Sequence, residues 1–309
     1  MKKFISLAVT VLLLTALLLA ACSSAAPGSS GGQQSELPPL QIASKPMTEQ
    51  MILVEMLKAI LETHTDYTVE LTKGIGGGTS NIQPAMERGD FHMYPEYTST
   101  GWEFVLKQKG GVLSDEEMFE QLQQQYQEQF GFEWVGRYGF GDQFGLAVRK
   151  QIADEHGIST YSDLAPLTPE LVFAAEPDFF ERDDGFDSLC ATYGYKFRST
   201  KDIDIGLKYN AINAGEVDVI EIATTDGQLA AADVTVLADD KKFFQSYYCY
   251  TVVRQDILEQ YPGLREALMK MEGIINEQEM IAMNSAVDLD KKEDVDVALE
   301  FLRSKGIIE

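Results

Sequence analysis

"AMERGDFHMYPEYTSTG", residues 85–101, and "AINAGEVDVIEIATTDG", residues 211–227, align without a gap. Each runs from a helical stretch through a glycine and an acid into an alternating strand. Each then enters a hydroxyl-rich loop closed by a second glycine. Ala85 stands against Ala211, Gly89 against Gly215, Thr100 against Asp226 and Gly101 against Gly227. The alternative, chance similarity between two αβ units, is the weaker reading. The match predicts equivalent elements of two similar lobes. The loops after the two strands then lie at the carboxyl ends of two sheets, where open α/β sheets bind ligands. Two such lobes facing each other make a cleft.

Working outward, strands are expected over 40–43, 67–72 and 91–94, the last stopped by Pro95. Thr48 is placed to cap a helix in which Met51, Ile52, Met56, Ile60 and Leu61 recur at helical spacing. A Gly-rich stretch over 74–80 leads into a helix that Gly89 ends. An exposed Gln-rich helix is expected over 115–130, and strands of a second α/β unit over 144–149, 171–175, 217–222 and 234–237. From 257 onward the pattern is helical. Strands alternating with helices indicate parallel sheets. The expected division is a leader over 1–21, a tether over 22–39, lobe 1 over 40–141, lobe 2 over 142–246 and a return to lobe 1 over 247–309.

The leader reading comes from Lys2 and Lys3 followed by a nearly unbroken apolar run over 4–19 and then Leu19-Ala20-Ala21-Cys22. A positive start, an apolar core and small residues before the cut describe an export signal. The run is short for a membrane-spanning helix. A cut just before a cysteine resembles a bacterial lipobox, which implies lipid on Cys22. The stretch after it is rich in Ser, Gly and Pro, the composition of a flexible tether. The expected location is therefore extracytoplasmic, anchored to the cell membrane. Cys190 and Cys249 remain; an oxidising compartment would let them pair, and two small buried thiols is the simpler reading.

At 309 residues the chain exceeds what one core usually serves. Its 49 acids against 25 bases leave a net charge of -24, which argues against nucleic acid as a partner. Catalysis has little to stand on. His64, His92 and His156 lie near no candidate nucleophile, and no two sit at metal-ligand spacing. The glycine stretch lacks the ending of a P-loop; its expected role is to let the backbone pass close to something. No cofactor, metal or catalytic residue is expected. What the chain does supply is tyrosine and phenylalanine at strand ends: Tyr94, Tyr97, Phe144, Tyr247, Tyr248 and Tyr250. Aromatic rings offer an electron-rich face to a cation.

With these residues on the page, "KPMTEQ" (45–50), "GGTSNIQPAMERGDFHMYPEYTSTG" (77–101), "FGLAVR" (144–149), "DFFERDDGF" (178–186), "GLKYNAINAGEVDVIEIATTDGQL" (206–229) and "FFQSY" (243–247) together resemble the substrate-binding proteins of ABC importers for osmoprotectants. The resemblance covers nearly the whole chain after the leader. It implies an α/β, two-lobe, periplasmic-binding-protein-like fold of type II, its lobes joined by two crossing strands with the ligand between them. It implies a quaternary-ammonium ligand, such as glycine betaine, proline betaine or carnitine, and delivery to an ABC permease with its ATPase. By position, Tyr97, Phe144 and Tyr247 fall on the walls of an aromatic cage, and Lys45, Thr100 and Arg182 on the grip for a carboxylate. Asp142 falls where a polar residue near the cation is common.

Ala223 departs from the pattern, since a fourth cage aromatic belongs there. Either Tyr248 or Tyr250 takes its place, or the ligand is bulkier than a trimethylammonium group. A desolvated cation–π contact is worth roughly 2 kcal/mol, so a missing wall weakens a small ligand while a carboxylate keeps it bound. Zwitterions are therefore expected to bind better than choline. The competing reading is a ligand sensor, or a binding protein for a bulkier cationic or amino-acid-like solute.

Overall fold

Gly89 and Gly215 both adopt the left-handed conformation, at φ 86° and 71°. Gly89 caps its helix as predicted, and Gly215 follows Ala214, the cap of the helix Lys208–Asn213; a residue without Cβ enters that region without strain. The amide of the next residue closes back on the helix in both places: Asp90 to Ala85 O and Glu216 to Ala211 O, each at 2.9 Å. The strands that follow are Met93–Tyr97 and Val219–Ala223. They coincide residue for residue in the ungapped match.

The structure is a computed structural model and describes residues 37–108, 114–244 and 247–309. The leader, Cys22 and the tether up to residue 36 lie outside the described residues. Among those described, no helix is long and apolar enough to cross a membrane.

The strands are β1 (Leu40–Ala43), β2 (Val69–Thr72), β3 (Met93–Tyr97), β4 (Phe132–Val135), β5 (Phe144–Arg149), β6 (Val172–Ala175), β7 (Ser199–Asp202), β8 (Val219–Ala223), β9 (Val234–Val236) and β10 (Cys249–Arg254). They form two five-stranded sheets, ordered β2-β1-β3-β10-β4 and β7-β6-β8-β5-β9. Each sheet has a parallel half, and its central strand, β3 or β8, pairs antiparallel with β10 or β5. The sheets are therefore mixed, where alternation of strands and helices predicted parallel ones. The antiparallel strand of the first sheet comes from the far end of the chain, which sequence order conceals. Between the sheets the chain crosses twice, and the crossings meet where Asp142 N donates to Tyr247 O at 3.0 Å.

Other differences have local causes. Pro95 does not stop β3; it lies inside it, opposite Thr251. Thr98 N donates to Tyr248 O on the β10 side at 3.0 Å, while Tyr97 N turns the other way to Glu96 Oε1 at 2.7 Å. Alternation then puts the nitrogen of Pro95 on the side away from β10. There the pairing with β1 is confined to Ile42 and Met93, so the proline removes no ladder bond. Thr48 is the first residue of the helix Thr48–His64 and not its cap; its hydroxyl donates to Asp288 Oδ1 at 2.6 Å. The Gln-rich helix Asp115–Phe130 buries Met118, Leu122 and Tyr126 and is exposed on its other face. Cys190 and Cys249 are unpaired; Cys249 is buried as expected, and Cys190 is only half-buried.

The largest core packs Ile52, Leu53, Met56, Leu57, Ile60 and Leu61 of the helix Thr48–His64 between the first sheet and the C-terminal helices. The second lobe has its own cores around Phe173 and Ile220. The lobes touch directly at Gly227, where an added Cβ would lie 2.4 Å from Ser285 N of the helix Glu277–Asp288. Overpacking of this size costs about 1–3 kcal/mol. Gly227→Ala is therefore expected to hold the lobes apart while each stays folded. Small-angle scattering should show a larger radius of gyration with unchanged circular dichroism. An unaltered scattering profile would remove this contact from the account.

Candidate functional site

Glu96 in β3 explains why the loop after that strand is so polar. It is fully buried and accepts from the Lys45 ammonium, from Thr79 Oγ1 at 2.6 Å and from the Tyr97 amide at 2.7 Å. It braces the strand end against the Gly-rich stretch, whose residues Gly76, Gly77 and Gly78 line a cavity between the lobes. The braced strand delivers Tyr97 and Thr100 to that cavity. Thr100 begins a π-helical segment, Thr100–Val105, an element found chiefly at functional sites.

The cavity is about 250 Å³ in volume, small enough for one compact solute. All seven residues predicted from sequence line it: Lys45, Tyr97 and Thr100 from the first lobe, Phe144 and Arg182 from the second, and Asp142 and Tyr247 from the crossings. Phe144 and Tyr247 meet edge to face at 5.5 Å between centroids. Ala223 lines the cavity as well, directly across the sheet from Phe144. Neither candidate replacement reaches the gap it leaves. Tyr250 stacks on Phe119 at 4.6 Å in a separate core, and Tyr248 lies beneath the Arg137 guanidinium at 3.5 Å.

The basic side chains differ from expectation. Both already hold carboxylates of the protein: Lys45 pairs with Glu96, and Arg182 with Asp184, through Nε at 2.9 Å and through Nη2. Arg182 also lies between the rings of Phe144 at 5.1 Å and Phe104 at 5.2 Å. A ligand without a carboxylate would therefore still leave both cations paired, with Glu96 and Asp184.

Sequence reading missed most of the acid. Asp142, Glu176, Asp178, Asp204 and Glu221 line the cavity, against only Lys45, Arg182 and Lys208. Lys208 is fully buried and serves three carboxylates: Glu221 at 3.2 Å, Asp226 at 3.4 Å and Glu176 at 4.0 Å. Burial works against its charge, but Asp226, Glu221 and Glu176 raise its pKa overall. The signal available in sequence was a lysine in the otherwise apolar face of residues 207–212. Glu176 Oε2 and Asp178 Oδ1 are buried with no hydrogen-bond donor among the described residues. Burial pushes Glu221 up to about 8, helped by the charge of Glu176. It pushes Glu103 up to about 8, helped by Asp184, and Glu49 up to about 7. Asp142 is raised well above the carboxylate range by burial and then by Glu49.

Walls of aromatic rings, buried acceptors without donors and more carboxylate than base make a closed receptacle for a small cation-bearing solute. The two repeated α/β lobes around it define a periplasmic-type solute-binding protein. The chain belongs to the family of substrate-binding domains of ABC-type glycine betaine transport systems, which matches residues 38–304. It is 40% identical over 269 residues to the ergothioneine transport permease/ergothioneine binding protein EgtU of Helicobacter pylori (strain G27), covering 87% of this chain and 48% of that protein. The chain thus spans about half the length of that relative. It is 30% identical over 272 residues to the carnitine transport binding protein OpuCC of Listeria monocytogenes, covering 87% of this chain and 88% of that one. A solved structure of a glycine betaine/carnitine/choline ABC transporter protein superposes with a TM-score of 0.68 at 30% identity, over 87% of this chain and 100% of that chain.

The raised carboxylates set a pH dependence. Their folded-state pKa values lie above the ordinary value of about 4.3. The stability they contribute is therefore present below that value and lost as pH rises through about 7 to 8. The thermal midpoint of the ligand-free protein should fall between about pH 5 and pH 8.5. Scanning calorimetry across that window checks it, and a flat or rising midpoint would show that these acids are not desolvated together.

Proposed function

We propose that this chain is an extracytoplasmic solute-binding lipoprotein, held by lipid on Cys22, that captures a quaternary-ammonium zwitterion and delivers it to an ABC permease. The lobes are residues 40–141 with 247–309, and residues 142–246. Tyr97, Phe144 and Tyr247 enclose the ammonium methyls, and Asp142 stands near the cation. Lys45, Arg182 and Thr100 meet the carboxylate, sharing it with Glu96 and Asp184.

The ligand is larger than glycine betaine, a betaine with an extended side chain of the ergothioneine type. One observation carries this: a second chamber of about 230 Å³ adjoins the first, and Pro46, Met47, Asp142, Asp204, Ile205 and Ala223 line both. Glu49, Asp226 and Asp288 add carboxylate to its lining, and among the described residues no Lys, Arg or His lines it. A donor-bearing ring such as an imidazole fits that chemistry. The named ligand of the 40%-identical relative agrees in kind.

Calorimetric titration of the purified protein with ergothioneine and with glycine betaine tests the reading. Ergothioneine is expected to bind at least about tenfold more tightly, a difference of about 1.4 kcal/mol. Ala223→Tyr should reverse the order. It restores a cation–π wall worth roughly 1–2 kcal/mol to the small ligand and overfills the space used by the large one by about 1–3 kcal/mol. Tighter binding of glycine betaine to the unaltered protein, or binding of neither, would contradict the reading.

A further inference from the structure

Glu49 lies outside the first chamber and in the wall of the second, and it joins the Tyr97 wall to the contact between the lobes. It is the second residue of the helix Thr48–His64 and is 3% exposed. One oxygen, Oε1, accepts the Tyr97 hydroxyl. The other, Oε2, accepts Thr225 Oγ1 at 2.6 Å and Asn284 Nδ2 at 3.4 Å. Thr225 belongs to the loop after β8 in the second lobe, 176 residues away in the chain. Its amide faces Asp142 Oδ1 at 3.4 Å and its carbonyl accepts Asn284 Nδ2 at 2.8 Å. Two residues on, Gly227 O accepts Ser285 Oγ at 3.2 Å. Gln50 Nε2 completes the partners of the Tyr97 hydroxyl at 3.0 Å.

A wall of the cavity and the docking loop of the opposite lobe are thus bonded to the two oxygens of one side chain. We infer that Glu49 is a positioning residue that couples the Tyr97 wall to closure of the second lobe on the first. A ligand packed on the Tyr97 ring fixes the phenol, and the phenol fixes Oε1. The carboxylate then presents Oε2 at a set angle to Thr225, so the second lobe docks on a preformed acceptor. When the lobes part, Thr225 leaves and takes one anchor of the carboxylate with it. Tyr97 then loses an orientation that depends on both. The geometry of Gly227 against Ser285 makes this docking close-fitting, so a change of angle at Glu49 is felt at the lobe contact.

The inference rests on the cavity being the ligand site, as proposed above, and its test separates the two. Association and dissociation rates are measured with ergothioneine and with glycine betaine as probes. Tyr97→Phe keeps the ring and removes the hydroxyl. Thr225→Val keeps the shape and removes the lobe-two donor. Each is expected to speed dissociation about tenfold while changing association by less than about threefold. The double variant should dissociate only about as fast as either single one, because both break one coupled unit. Thr225→Ser, which restores a hydroxyl, should recover the slow rate. Unaltered dissociation in Tyr97→Phe would overturn the inference and leave Tyr97 as a wall alone. An additive, roughly hundredfold effect in the double variant would overturn it too, because it would mean two independent contacts. Binding of neither probe to the unaltered protein would overturn this inference together with the ligand reading.

Discussion

The structure depends on one constraint: carboxylates are buried between the lobes in greater number than the cations that meet them. Burying an unpaired charge is expensive, and the usual remedy is a partner or a proton. Here Lys208 stands among three acids, while Lys45 and Arg182 are each held by an acid of their own. Among the rest, burial raises the pKa of Glu49, Asp142 and Asp178, and it raises Glu176 and Glu221 even beside Lys208. The cationic solute proposed above would relieve that imbalance, enclosed by the rings of Tyr97, Phe144 and Tyr247.

The same constraint accounts for the fold around the site. Each lobe brings a central strand to the cleft, and each strand end is braced by a buried ion pair. In the first lobe Glu96 takes Lys45, and in the second Glu221 takes Lys208. The repeat supplies two similar jaws, and the differences between them make the site directional. Tyr97 stands at one strand end and Ala223 at the equivalent end of the other. One jaw offers a π face and the other a methyl group.

Much of this was legible in the chain. The gapless match between residues 85–101 and 211–227 located both central strands and the glycines that precede them, because local rules of capping and alternation govern those segments. The seven residues named by resemblance lie on one cavity, although 202 residues separate Lys45 from Tyr247 in sequence (247 minus 45). Three strands went unread. β7 is Ser-Thr-Lys-Asp with every residue exposed, and carries no apolar alternation. β4 is short and follows directly on a helix. β10 gains its meaning only from partners far away in the chain. Pro95 misled because its missing donor matters only if the neighbouring strand extends beside it. The acids Glu176 and Glu221 and the latch residue Glu49 stayed hidden because a surface carboxylate and a buried one look alike until tertiary contacts are known.

A crystal structure of the protein with ergothioneine bound is the most direct measurement. The account places the trimethylammonium carbons against the rings of Tyr97, Phe144 and Tyr247. The imidazole side chain runs past the Ala223 methyl toward Asp204 and Asp226. A bound ligand with its ammonium away from those rings, or with its ring turned from Ala223, would contradict it.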